Sequence, residues 1–414
     1  MFKLRIPTKS LYFSSNDITH LQMMDELLEF AMKWGRLIGG GIFDQGFKRT
    51  NKNIVTLMLL TALTCIINVY DIYLFREDVP RCVFCILTIS GQVQGFAKFY
   101  SFIWLFKNIL NLREQSKEFH KKVSSLKSSK IFEEKFMIVA HMAAVITFLA
   151  ISTFILIATY PIIYYLIFEK RILHFGLELP LIDWKFSWIG YGINFIHQGG
   201  LLFLFICMTI KTLCIIICFI ASAICQFDVL EMLLVELNEL AIFNQDGSKD
   251  GEICTKIRFL VDQHTNLIQY LQDMRRTFLV YFFIDFSALV FQKTVELFAI
   301  ISVSYYKSSQ LHFLIHNFQF NFIPGYVCAI STGFLIFLPC VLGSILISKG
   351  DEFYRKLYNI SWHLLSISNQ KSFKFIILNS KTSKGLAAGI QTLELTAFLE
   401  VNVSSLSQVK VYEN

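Results

Sequence analysis

The chain has 414 residues, 54% of them hydrophobic and only 17% charged, with a net charge of +7. Soluble domains run nearer about 45–50% apolar and about 25% charged. This composition excludes a disordered chain, a collagen, a coiled coil and a disulfide scaffold, speaks against a soluble enzyme, and makes lipid the natural solvent.

Residues 1–52 read as a cytosolic amphipathic segment without the apolar core of a signal peptide. A helix is expected over 17–38, capped by Asn16 or Asp17, with Leu21, Met24, Leu27, Leu28 and Ala31 on one stripe. That stripe is expected to lie on, or dip into, the membrane surface. Seven apolar runs follow, at 53–75, 82–106, 136–168, 186–226, 278–305, 323–348 and 384–407. Each exceeds the roughly 20 residues that cross a bilayer. The layout is therefore spans one to four within 53–226, a helical hairpin at 227–277, spans five and six within 278–348, an amphipathic helix at 349–383 and a last span within 384–414. The hairpin follows from length. About 40 residues of continuous helix reach roughly 60 Å, twice the hydrocarbon thickness, so the fourth and fifth spans project beyond the lipid. The Asn244 to Gly251 loop would form the tip. The last span carries Glu394 and Glu400 and ends in Asn402, Ser404, Ser405, Ser407 and Gln408, a face suited to water.

Lys and Arg set the orientation. Of 38, the N-terminal segment and alternate loops hold 28, and the opposite loops hold 7. The positive-inside rule puts the N-terminus in the cytosol and the C-terminus outside. A G-protein-coupled receptor has the reverse orientation. The fold class is thus an all-α membrane protein with seven transmembrane helices and an intracellular helical anchor region.

No HExxH, P-loop or GxSxG motif occurs, and Ser124 to Lys127 spells SxxK without partner motifs. Cys82 and Cys85 form a CxxC without a second pair, and the histidines lack metal-ligand spacing. No catalytic residue, metal site or cofactor is assigned, and no nucleic acid is expected as a partner. Cys207, Cys214, Cys218 and Cys225 read as small hydrophobes. Charges inside the spans mark bundle-facing positions. Lys293 and Glu296 form an i,i+3 pair, which either neutralises itself or lines an ion path, with Asp285 two turns earlier. Lys98 and Lys211 either snorkel or pair with Asp71 or Asp228. Trp184, Trp188 and Tyr191 suit an interfacial belt.

Several local patterns then resemble one family. Residues 175–184 (FGLELPLIDW) form an outer loop with Leu-Pro and a following aromatic, and His264 sits in an H-x-x-Leu/Ile setting in the hairpin. The tail orders Tyr358, Trp362, Gln370-Lys371, a small polar link at 380–384, Gly389 and Phe398. With the topology, these resemble an insect odorant receptor. The chain departs from the family in Leu406-Ser407, where Tyr-Ser is common, and in Glu400 and Lys410. It is too short for the shared co-receptor, so the resemblance implies a ligand-specific tuning subunit. It further implies an odorant-gated, non-selective cation channel assembled with the co-receptor as a heterotetramer in the plasma membrane of a sensory dendrite. The last helix would line the pore. A pocket for a small volatile, and more specifically aromatic, odorant would open among spans two, three, four and six.

Binding such a ligand is mainly desolvation and shape. The outer halves of those spans offer Phe84, Leu87, Thr88 and Gly91; Ser152, Ile155 and Thr159; Tyr191, Phe195 and Gln198; and Tyr326 and Ile330. Each also suits plain packing. For the pore, Asn402, Ser405, Gln408 and Val411 follow i,i+3 spacing, with Val411 at a constriction and Asn414 near the outer mouth. A gustatory-type homomeric channel shares this topology. A poreless seven-helix receptor or transporter fits the polar last span less well.

Overall fold

The computed structural model describes residues 20–44, 46–77, 79–123, 126–175, 177–244, 247–306 and 323–380, with short pieces at 387–388, 391–392, 394–396 and 399–400. In chain order come α1 (His20–Leu37), α2 (Lys52–Leu74), α3 (Val79–Phe99), a π turn (Tyr100–Trp104), α4 (Phe106–Lys122), α5 (Leu126–Phe168), α6 (Trp188–Phe243), α7 (Asp250–Tyr306), α8 (Ile323–Tyr358) and α9 (Ile367–Ser380).

Five helices, α2, α5, α6, α7 and α8, contain stretches long and apolar enough to cross a membrane. Leu59 and Ile66 of α2, and Phe148 and Leu166 of α5, stand exposed on outward faces, as lipid-facing side chains do. Helix α3 is more polar because Gln92, Gln94 and Lys98 are buried against neighbouring helices. The architecture is an all-α membrane protein built on a seven-helix plan.

Helix α1 differs from expectation. Its stripe does not face lipid: Met24, Leu28 and Ala31 are fully buried, and α1 packs on α6 and α5. Its polar edge also finds protein partners. Asp25 pairs with Arg113 at 2.6 Å and Lys117 at 2.7 Å, both on α4. The loop after α1 then wraps a lysine. Lys211 of α6 is completely buried, and its Nζ donates to the Gly40 carbonyl at 2.9 Å. Neither Asp71 nor Asp228 is its partner. A β-carbon at Gly35 or Gly40 would stand 3.0 Å from Lys211 atoms, so the close approach depends on glycine.

Helices α6 and α7 have 56 and 57 residues, roughly 85 Å each at 1.5 Å per residue. They follow one another across 244–249 and pack side by side as a helical hairpin. At its tip Asn244 accepts from the Lys249 amide at 2.7 Å and donates to Asp250 at 2.7 Å. Near the base, Asp228 of α6 joins Lys135 of α5 (3.3 Å) and Lys349 of α8 (2.8 Å). Glu231 takes Lys356 at 2.6 Å. The chain after α8 is fixed through Asn238, which accepts from the Ser361 amide at 2.8 Å, and through a 2.8 Å bond between Ser380 and His264.

The described pieces of the last run include a strand pair as well as helix. Ala387–Ala388 pairs antiparallel with Gln391–Thr392. Helical turns occur at 395–396 and 399–400, and the Leu395 amide donates to Ser344 of α8 at 2.8 Å. Asn402, Ser405, Gln408, Val411 and Asn414 lie outside the described residues.

Candidate ligand cavity

Helices α2, α3, α6 and α7, which are spans one, two, four and five and not the expected set of two, three, four and six, meet around a cavity of about 150 Å³. Its α3 wall advances in four-residue steps through Leu87, Gly91, Gly95 and Phe99, with Thr88 and Gln92 beside them. Helix α6 supplies a hydrophobic wall that includes Leu202, Phe205 and Met208. Thr61 of α2, Gln292 of α7 and Phe175 of the outer segment complete it. A β-carbon at Gly91 or Gly95 would meet nothing within 4 Å. The space is therefore the volume of side chains these two glycines lack.

Most polar groups of the wall are committed to the protein. Thr61 donates to the Leu57 carbonyl at 2.8 Å, and Gln292 accepts from Gln94 at 2.8 Å. Gln92 Oε1 accepts from Cys65 at 2.8 Å and from Asn68 at 3.1 Å. Below the cavity lies a buried ion pair, Lys98 of α3 with Asp285 of α7 at 3.6 Å. Lys98 also donates to Thr209 at 3.2 Å, and its ammonium stands 4.5 Å from the centre of the cavity-lining Phe205 ring. Tyr281 donates to the other carboxylate oxygen at 3.1 Å. The α3–α7 seam is thus both a wall of the cavity and the seat of its nearest charges.

The outer segment, 169–187, is held down by three buried side chains. Asp71 accepts from the Glu178 amide at 3.1 Å, and Asn194 from the Leu179 amide at 2.8 Å. Gln198 accepts from the Phe175 amide at 2.9 Å and donates to the Leu177 carbonyl at 2.7 Å. These bonds set Phe175 against the cavity. The neighbouring His174 ring packs 4.4 Å from the Phe195 ring, and burial pushes its imidazole down to about 4. The docked state thus binds fewer protons than the released one between the ordinary pKa of about 6.5 and about 4. Docking is fully favoured above pH 6.5 and weakens as the pH falls through that window. Protection factors of the amides across 169–187, taken relative to the intrinsic exchange rate at each pH, should fall on acidification toward pH 5, and His174→Phe should flatten the dependence.

The sequence-selected residues separate on this geometry. Leu87, Thr88 and Gly91 line the cavity. Gln198 is spent on the outer segment. Tyr191 and Phe195 join an aromatic row with Trp188 and His174. Ser152, Ile155 and Thr159 belong to α5, which does not border the cavity; Ile155 is exposed, and Thr159 donates to the Ile155 carbonyl at 2.7 Å. Ile330 of α8 is exposed. Phe84 and Tyr326 lie in α3 and α8, with side chains outside the described set. A more open apolar hollow of about 300 Å³ lies between α5 and α8, lined by Ile138, Val145, Phe334 and others, without any of the selected residues. Sequence reasoning missed Gln92, Gly95, Phe205, Met208 and Gln292. The four-residue Gly91/Gly95 spacing was the available signal.

The 7tm Odorant receptor family matches residues 83–403. The chain belongs to the seven-transmembrane odorant receptor family. Its fold is similar to the insect olfactory receptor OR5 of Machilis hrabei in complex with eugenol, with a TM-score of 0.75 at 13% identity, covering 95% of this receptor and 100% of that chain. A second OR5 structure gives a TM-score of 0.69 at 14% identity, covering 95% and 98%. No curated protein matches the sequence. The receptor is therefore a multi-pass membrane protein of olfaction.

Proposed function

We propose that this receptor is the odorant-recognising subunit of a heteromeric, non-selective cation channel completed by the family's co-receptor in the plasma membrane of a sensory dendrite. The observation that carries the reading is the apolar cavity walled by α3 and α6, with Gln292 of α7 in its lining. Helix α7 runs without a break from cavity-lining Gln292 to the cytosolic hairpin tip. A ligand that fits the cavity better in one arrangement of the α3–α7 seam shifts the population toward that arrangement. The cytosolic region supports assembly. Ile367, Phe375 and Leu378 of α9, and Trp362 before it, are large apolar side chains left exposed by the single chain.

Whole-cell current under a panel of small volatiles tests the reading, with the chain expressed alone and with the co-receptor. Odorant-evoked current from the pair alone is expected. Current from the chain alone would instead identify a homomeric channel. Ile367→Glu, at an exposed position, should leave the chain folded and reduce its co-purification with the co-receptor severalfold; unchanged recovery would remove α9 from the interface.

A further inference from the structure

We propose that the foot of spans one and two binds an anionic phospholipid of the inner leaflet, with the lipid phosphate on Arg49. The segment that leads into α2 folds against the π turn that ends α3. Phe47 packs edge-on against Phe106, with ring centres 5.3 Å apart. The Arg49 guanidinium stands 5.5 Å from the centre of the Trp104 ring and 5.2 Å from that of Phe106. The two rings hold this cation in place without neutralising it. The only acid in 38–51, Asp44, is taken by Arg36 at 2.6 Å, and neither α2 nor α4 has an acidic residue in its first turn. Lys48 and Lys52 flank Arg49, both exposed, and Lys107 is exposed next to Phe106. None of these four cations has an ion pair among the described residues.

The surroundings point to lipid as the counter-ion. Val55, Leu59 and Ile66 are exposed on α2. Lys52 lies one turn before them on the same helical face, so it heads the stripe turned to the hydrocarbon. Tyr100 and Trp104 stack with their ring centres 6.4 Å apart and are 45% and 54% exposed. Exposed Tyr and Trp rings suit the headgroup level, and the positive-inside rule puts this end of both helices at the cytosolic surface. Anionic lipids lie in that leaflet. A guanidinium offers a planar fork that matches phosphate oxygens, and the lysines add point charges beside it.

The test equilibrates the purified full chain with equal amounts of phosphatidylserine and phosphatidylcholine in mixed micelles, then counts the retained lipids by mass spectrometry. The wild type should retain phosphatidylserine severalfold over phosphatidylcholine, each cation near the phosphate contributing about fivefold. Arg49→Gln with Lys52→Gln should bring the ratio close to one. Lys48→Gln and Lys52→Gln alone, at exposed positions, should each lower it in part. Lys121→Gln with Lys122→Gln removes two charges from the other end of α4 and should leave the ratio unchanged. If that control lowers the ratio as far as the Arg49 pair does, the attraction is general and the site falls. If inorganic phosphate displaces the retained phosphatidylserine, the site takes a free ion and the lipid assignment falls. Equal retention of both lipids by the wild type also overturns the proposal; a loss of co-receptor recovery in the Arg49 variant would then make the patch a subunit contact.

Discussion

Replacing Asp285 by alanine should be the most damaging change in the transmembrane region. Lys98 is buried to 2% exposure, and Asp285 is the carboxylate paired with it at 3.6 Å. Removing one member of a buried pair strands the other charge, at a cost of about 3–5 kcal/mol. Thr209 and the Phe205 ring compensate only in part, because neither carries a negative charge. Surface expression and heat survival of the purified receptor should both collapse. Lys98→Met combined with Asp285→Leu should recover most of the loss, because well-packed apolar residues replace a buried pair at little or no cost. Recovery of stability without recovery of odorant current would show that the pair serves gating as well as folding. Full stability in Asp285→Ala alone would show that the pair is not holding the seam.

The second large effect is expected at Gly190, in the first turn of α6. A β-carbon there would fall 2.0 Å from the Asp183 carbonyl oxygen and 2.8 Å from its carbon. Both are backbone atoms, so no rotamer relieves the clash. Gly190→Ala must displace the outer segment, and overpacking of this kind costs about 1–3 kcal/mol. The bonds from Asp71, Asn194 and Gln198 resist the shift, and Phe175 at the cavity moves with the segment. Odorant sensitivity should fall at least tenfold while co-purification with the co-receptor stays intact, since the cytosolic hairpin lies at the far end of α6. Unchanged sensitivity would show that the outer segment does not shape the cavity.

The helices were legible because they depend on local quantities. Apolar run length located α2, α5, α6, α7 and α8, and the loop at 244–251 marked the hairpin tip. The cavity was less legible because it depends on which helices become neighbours. Leu87, Thr88 and Gly91 were found on α3, but a polar Gln92 inside an apolar run reads equally well as a helix contact. Gln198 looked like a ligand group, yet the chain folds back and spends both ends of its amide on backbone. Lys98 found Asp285, and Lys211 found a carbonyl 171 residues away, pairings that sequence spacing does not announce. The stripe of α1 gave the right helix and the wrong surface, since an amphipathic face does not say whether lipid or protein will cover it.

The cavity's volume comes from side chains that two glycines do not have, and this bears on how such a receptor changes over generations. A single base change in a glycine codon reaches alanine, valine or serine. Each adds a few atoms to the empty space without moving a helix. The shape of the cavity can therefore drift in steps of one to three carbon atoms while heritable damage to folding stays small. A site walled entirely by large side chains would have to repack its core to make the same move.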